Sequence, residues 1–205
     1  LQWLYENVAV DERWCLVHAT HAEPDEVTAM ARSGAVAGLC LTTEANLGDG
    51  IFPAVDYLAQ NGRFGIGSDS HVSLSVVEEL RWLEYGQRLR DQRRNRLYGK
   101  DQPMVGRTLF DAALSGGTQA LGQPTGELAV GKRADLLVLN GGDPYLQTAR
   151  GDAILNRWLF AGGVFYTLGT VFYHREQLPY SHAIWHLFVI AGSVCHFVSV
   201  TAQIL

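Results

Sequence analysis

Two residues of this chain have the type and setting to move protons around a metal. His18 closes the apolar run 14–19, and Asp69 follows the run 64–68 inside Ser68-Asp69-Ser70-His71. An imidazole and a carboxylate that converge at the mouth of one sheet can bind a divalent ion and carry protons for a water whose pKa that ion lowers to about 7. Each residue alone also suits a plainer role. A histidine at a strand end can be a hydrogen-bonded structural side chain, and Ser-Asp-Ser-His can be the N-cap of a helix.

The elements that must position these residues follow from hydropathy. Residues 14–19, 35–42 and 64–68 read as short buried strands, and residues 23–33, 51–61 and 75–94 as helices. Pro24 near the start of the first helix, with acids in its first turn, suits a helix N-terminus. Apolar strands alternating with helices predict a parallel sheet buried on both faces, in the order βαβαβα. Ligands bind at the carboxyl ends of strands in such folds. Those ends carry His18, then Thr42 to Glu44, then Ser68 to His71. Farther on, residues 107–121 predict a helix interrupted at Gly116-Gly117. Residues 126–140 alternate like a hairpin leading into a strand, and 152–159 read as a helix or strand. Residues 1–8 look like the last turns of an amphipathic helix, with neither an initiator Met nor a signal peptide, so the chain is expected to begin inside a domain.

Charge divides the 205 residues into two parts. Of the 37 Lys, Arg, Asp and Glu residues, only Arg175 and Glu176 lie after Arg157. Two solvents are implied, which excludes a single ordinary globular domain and a disordered acidic chain. Before that point 15 basic residues are outnumbered by 20 acidic ones and form no stripe, so no nucleic-acid partner is expected. The uncharged runs 158–173 and 177–205, joined by His174-Arg175-Glu176, read as an α-helical transmembrane hairpin with Tyr173 and Tyr180 at the interface. The first run is short against the roughly 20 residues a span needs, and the alternative is a buried helical hairpin of a soluble core. Cys15, Cys40 and Cys195 sit in apolar runs without CxxC spacing, which argues against a disulfide framework or a cysteine zinc site and fits a reducing compartment.

Several stretches are specific as words. VHATH (17–21), CLTTEANLGDG (40–50), GIGSDSH (65–71), LFDAALSGGTQALG (109–122) and GELAVGKRADLLVLN (126–140) resemble, in this order, the second half of an amidohydrolase-superfamily enzyme of the formimidoylglutamate deiminase type. The resemblance covers residues 1–163. It implies an α/β fold: strands six to eight of a partial (β/α)8 TIM-type barrel over 1–106, then the last barrel helix and part of a small β-domain over 107–157. It also implies zinc, a formimino amino acid as small-molecule substrate, hydrolysis of its C=N bond, a cytoplasmic setting for residues 1–157 and a homo-oligomer. Asp69 resembles the strand-eight aspartate that binds the metal and accepts a proton, and His18 the strand-six histidine that assists addition. Thr43, Glu44 and Asn46, with the Gly48 to Gly50 turn, resemble the loop at the substrate end of the pocket. Within that set Glu44 reads as a loop carboxylate rather than a general acid. His21 and His71 suit capping or packing equally well, and Asp135 reads as structural. The family's HxH, strand-five histidine and catalytic glutamate belong before Leu1. A zinc site takes at least three protein ligands, so this chain is expected to hold an incomplete one and to be inactive by itself.

Beyond Gly163 the resemblance changes. GGVFYTLGTVFYHREQLPYSHAIWHLFVIAGSVCHF (162–197) is similar to the last two helices of hemolysin III-type membrane proteins, the family of the adiponectin and progestin receptors. Residues 158–205 would then associate with a membrane. His182 and His186 form that family's HxxxH; four apart, they share one helix face and suit a zinc inside a bundle, or hydrogen bonds at an interface. His196 reads as a packing residue. The alternative function is thus a hemolysin III-type membrane fragment, or a non-functional chimera of two genes joined near Gly162-Gly163.

Overall fold

The computed structural model describes residues 1–160, so His182, His186, His196 and all but the first three residues of the predicted hairpin lie outside the described residues. Helix α1 (Gln2–Asn7) precedes β1 (Cys15–Val17), α2 (Pro24–Ser33), β2 (Val36–Leu39), α3 (Leu41–Leu47), α4 (Ala54–Ala59), β3 (Arg63–Ile66) and α5 (Val76–Asp91). Helices α6 (Val105–Leu121) and α7 (Ala153–Phe160) follow. The three strands form one parallel sheet in the order β1-β2-β3, with Cys15 beside Val36 and Val36 beside Arg63. The expected βαβαβ core is therefore present. Among the described residues no helix is long and apolar enough to cross a membrane.

Local chemistry accounts for the helices. Glu23 and Glu26 form a reciprocal capping box around Pro24, and Gly34 ends α2 in the left-handed conformation at φ 75°. Ser75 caps α5 by accepting from the Glu78 N–H. Central strand β2 is buried almost throughout, packed with Met30, Phe64 and Leu109 in a core that excludes water. The Tyr57 hydroxyl lies 2.9 Å from the Ala35 carbonyl and 3.0 Å from that of Arg63, tying together the starts of β2 and β3.

Three expectations need correction. Residues 41–47 were expected to finish a strand and begin a loop; instead they form α3, because buried Glu79 accepts from the Thr42 N–H at 3.1 Å and from its hydroxyl, and Glu44 accepts from the Cys40 N–H at 2.8 Å. Helix α6 is not interrupted at Gly116-Gly117. It runs unbroken across β3 and β2, and the glycines permit the approach: a Cβ on Gly116 would collide with the Phe64 carbonyl. The predicted hairpin and strand of 126–140 is absent, and its apolar side chains, Leu136, Leu137 and Val138 among them, stand exposed without a pairing edge among the described residues.

Candidate active site

His18 and Asp69 follow the carboxyl ends of β1 and β3, the two strands that flank β2. The His18 N–H continues the ladder to the Gly38 carbonyl at 2.8 Å, and the Gly67 N–H does the same to Leu39 at 3.0 Å. Both site residues then turn sharply, His18 at φ 65° and Asp69 at φ 46°. For residues other than glycine this left-handed conformation costs about 1–2 kcal/mol each, and such strain concentrates at functional sites. The turn leaves His18 Nε2 3.9 Å from Asp69 Oδ2, with both side chains partly open to solvent (36% and 45%).

Helix α3 lies beneath them. Glu44, 2% exposed, places Oε1 3.2 Å from His18 Nδ1 and 2.8 Å from the Cys40 nitrogen. Burial raises the Glu44 carboxyl above its ordinary range, and the Cys40 N–H and His18 oppose that shift. The Thr43 hydroxyl donates to the Ser68 carbonyl at 2.8 Å and accepts from the His71 N–H at 3.1 Å, so it clasps both sides of Asp69. Both Glu44 and Thr43 are buried, while Asn46 is exposed. His71 turns inward to the loop, its Nδ1 accepting from the Ser73 N–H at 3.1 Å, and exposed Asp135 pairs with Arg133 at 2.9 Å.

Sequence reading missed Cys40. One ligand atom from each of His18, Cys40 and Glu44 lies within 4.8 Å of the others, a set that could hold a metal ion. Burial, then the charges of Glu44, Asp69 and Glu79, push the Cys40 thiol up to about 11, so it is protonated at neutral pH. The signal was available: Cys40 and Glu44 are four apart, which becomes one face once residues 41–47 are read as a helix. A cavity of about 390 Å³ opens beside His18, lined also by Thr20, His21 and Asp49. A larger one of about 500 Å³ lies far from this chemistry, by Arg90 and Arg96. Both arginines bind Asp91, at 2.8 and 2.6 Å, and hold its carboxyl down to about 2.

Comparison with known proteins places these features. Residues 145–197 match the haemolysin-III related family, and the chain is 49% identical over 47 residues to hemolysin-3 of Bacillus cereus, covering 23% of this chain and 22% of that protein. Over 163 residues it is 84% identical to the formimidoylglutamate deiminase of Pseudomonas aeruginosa, covering 80% of this chain and 36% of that enzyme. The chain therefore spans little more than a third of that relative. Among solved structures, an amidohydrolase from Brucella melitensis superposes with TM-score 0.73 at 48% identity, over 78% of this chain and 35% of that one. An adenosine deaminase from Xanthomonas campestris with bound zinc shares the fold, with TM-score 0.63 at 24% identity over 74% of this chain and 34% of its own. The amidohydrolase match and the haemolysin match overlap at residues 145–168, bracketing the Gly162-Gly163 pair at which the two resemblances meet. With the amidohydrolase model matched from residue 2 to residue 168, this chain belongs to the amidohydrolase family.

Proposed function

We propose that the described residues form strands six to eight of a zinc-dependent amidohydrolase barrel that converts N-formimino-L-glutamate and water to N-formylglutamate and ammonia. The observation that carries this reading is the convergence of His18 Nε2 and Asp69 Oδ2, 3.9 Å apart at the ends of parallel strands, in a chain 84% identical over 163 residues to a formimidoylglutamate deiminase. The donor set fits zinc, which takes imidazole nitrogen and carboxylate oxygen. Asp69 would hold it, with His18 beside it. When bound, zinc supplies a Lewis acid that makes water nucleophilic near neutral pH.

The chain's own residues then manage protons. Asp69 takes a proton from the water whose oxygen bonds to the formimino carbon, and returns it to the formimino nitrogen. His18 Nε2 hydrogen-bonds the reacting groups during addition; Asp69 then carries the remaining hydroxyl proton to the same nitrogen as the carbon–oxygen double bond forms and the carbon–nitrogen bond breaks, and ammonia leaves. Asn46 and the Gly48 to Gly50 turn border the substrate end. Asp69 is the one zinc ligand that the family resemblance assigns among the described residues, so activity is assigned to the completed barrel and the chain alone is expected to be inactive.

A segment exchange tests this. The 163 matched residues replace their counterparts in the Pseudomonas aeruginosa enzyme, and ammonia release from N-formimino-L-glutamate is measured. The hybrid is expected to retain activity, and Asp69→Asn to lower kcat by about 10²–10⁴-fold. Asparagine accepts the left-handed backbone of Asp69, so that loss would not reflect misfolding. A folded, zinc-loaded hybrid without activity, or an unimpaired Asp69→Asn variant, would reject the reading.

The match over residues 145–197 supports a second reading for the C-terminal part. We propose that residues 158–205 form a two-helix membrane segment that offers His182 and His186 to a metal. The whole chain is then a chimera, its deiminase part cytoplasmic by family likeness.

A further inference from the structure

We infer that Glu44 is a positioning residue: it holds His18 in the tautomer protonated at Nδ1, leaving Nε2 as the lone-pair atom that faces Asp69. This deepens the proposed function and rests on it for catalysis, while the geometry stands independently. Oε1 of Glu44 accepts the Cys40 N–H at 2.8 Å, and as a carboxylate oxygen it can only accept. The nitrogen 3.2 Å away, His18 Nδ1, must therefore bring the hydrogen. A neutral imidazole carries one N–H, so Nε2 is left as an acceptor on the side where Asp69 Oδ2 lies 3.9 Å away.

Burying a carboxylate is costly, and Glu44 is buried with Oε2 lacking any hydrogen-bond partner among the described residues. Here one oxygen does all the bonding, and it joins the start of α3 to His18. The carboxylate thus anchors the imidazole to a helix that Glu79 fixes independently through Thr42. The same three-residue neighbourhood, with Cys40, could alternatively be a metal site in its own right, and the experiment separates the two.

The full chain is labelled with isotopic histidine, and nitrogen NMR reads the His18 tautomer, assigned by its loss in His18→Gln. The Nδ1–H form is expected in the unsubstituted chain, which tests the inference without any change at Glu44. Its appearance as the Nε2–H form overturns the inference. Glu44→Leu, which removes the acceptor oxygen, is expected to shift His18 away from the single Nδ1–H form, and an unchanged tautomer also overturns it. Cobalt added to the chain is expected to give no thiolate charge-transfer band. A band abolished by Cys40→Ser would assign the cluster to metal binding instead. In the hybrid enzyme Glu44→Leu is expected to lower kcat by about 10–100-fold with KM nearly unchanged, and Glu44→Asp to restore part of it. Loss of the tautomer without loss of kcat would overturn the catalytic half alone. An inactive parent hybrid with the expected tautomer would instead reject the deiminase reading and leave the positioning intact.

Discussion

Thr43 is the residue on which the shape of the Asp69 turn depends. Its hydroxyl is both donor to Ser68 and acceptor from His71, and it is buried at 1% exposure. Replacing it by valine keeps the volume and removes the hydroxyl from a part-buried turn whose Ser68 carbonyl and His71 N–H still bond each other at 3.1 Å, which costs about 0.5–1.5 kcal/mol. Thr43→Val is therefore expected to destabilise the chain by that amount in urea denaturation, and Thr43→Ser to cost much less; equal costs would show that the lost methyl, not the hydroxyl, governs the turn. The sequence made His18 and Asp69 legible because polar residues interrupting apolar runs mark strand ends. It did not reveal what orients them. The bonds from Glu44 to His18 and from Thr43 to Ser68 span 26 and 25 residues, and no local pattern encodes a contact of that separation. The left-handed backbone of His18 and Asp69 was equally hidden, since neither is glycine.

At the level of elements, strands and long helices were legible for a simple reason: burial on both faces writes continuous apolar runs for β1 to β3, and caps announce α2 and α5. Helix α3 was not, because its first turn carries β-branched Thr42 and Thr43, and its stability comes from Glu79 on α5. The glycine pair of α6 misled in the opposite sense. Glycine in a helix costs about 1 kcal/mol relative to alanine, which suggests a break. In the structure Gly116 is buried against the Phe64 backbone, and a Cβ on Gly65 would lie 3.2 Å from the Gly117 Cα, so the small residues are a contact surface. Gly116→Ala gains helix propensity yet forces α6 off β3. The expected net effect is a loss of about 1–3 kcal/mol, read as a lower urea midpoint. Gly117→Ala meets open space and is expected to be neutral or stabilising. If both substitutions stabilise alike, close packing is not what the pair serves.

For the whole molecule the governing fact is the change of charge along the chain. Residues 1–157 hold 35 of the 37 charged side chains, and residues 158–205 hold two. Moving a charge to the centre of a bilayer costs about 2.5–3.5 kcal/mol on insertion scales, so an almost uncharged 48-residue tail meets little penalty there. The same tail in water would expose apolar surface that soluble chains bury. Two family matches meeting at residues 145–168 agree with that division. When the full chain is expressed in bacteria, it is expected to stay with the membrane pellet through alkaline carbonate washing and to leave it only with detergent. Peripheral attachment through ionic contacts would release it in carbonate, because the wash disrupts electrostatic contacts and leaves apolar insertion intact. Aggregated chain also pellets, so flotation in a sucrose gradient is the deciding step: chain inserted in lipid rises with the membranes, and aggregate sinks. Recovery in the soluble fraction would eliminate the hairpin and return residues 158–205 to the alternative of a buried helical pair.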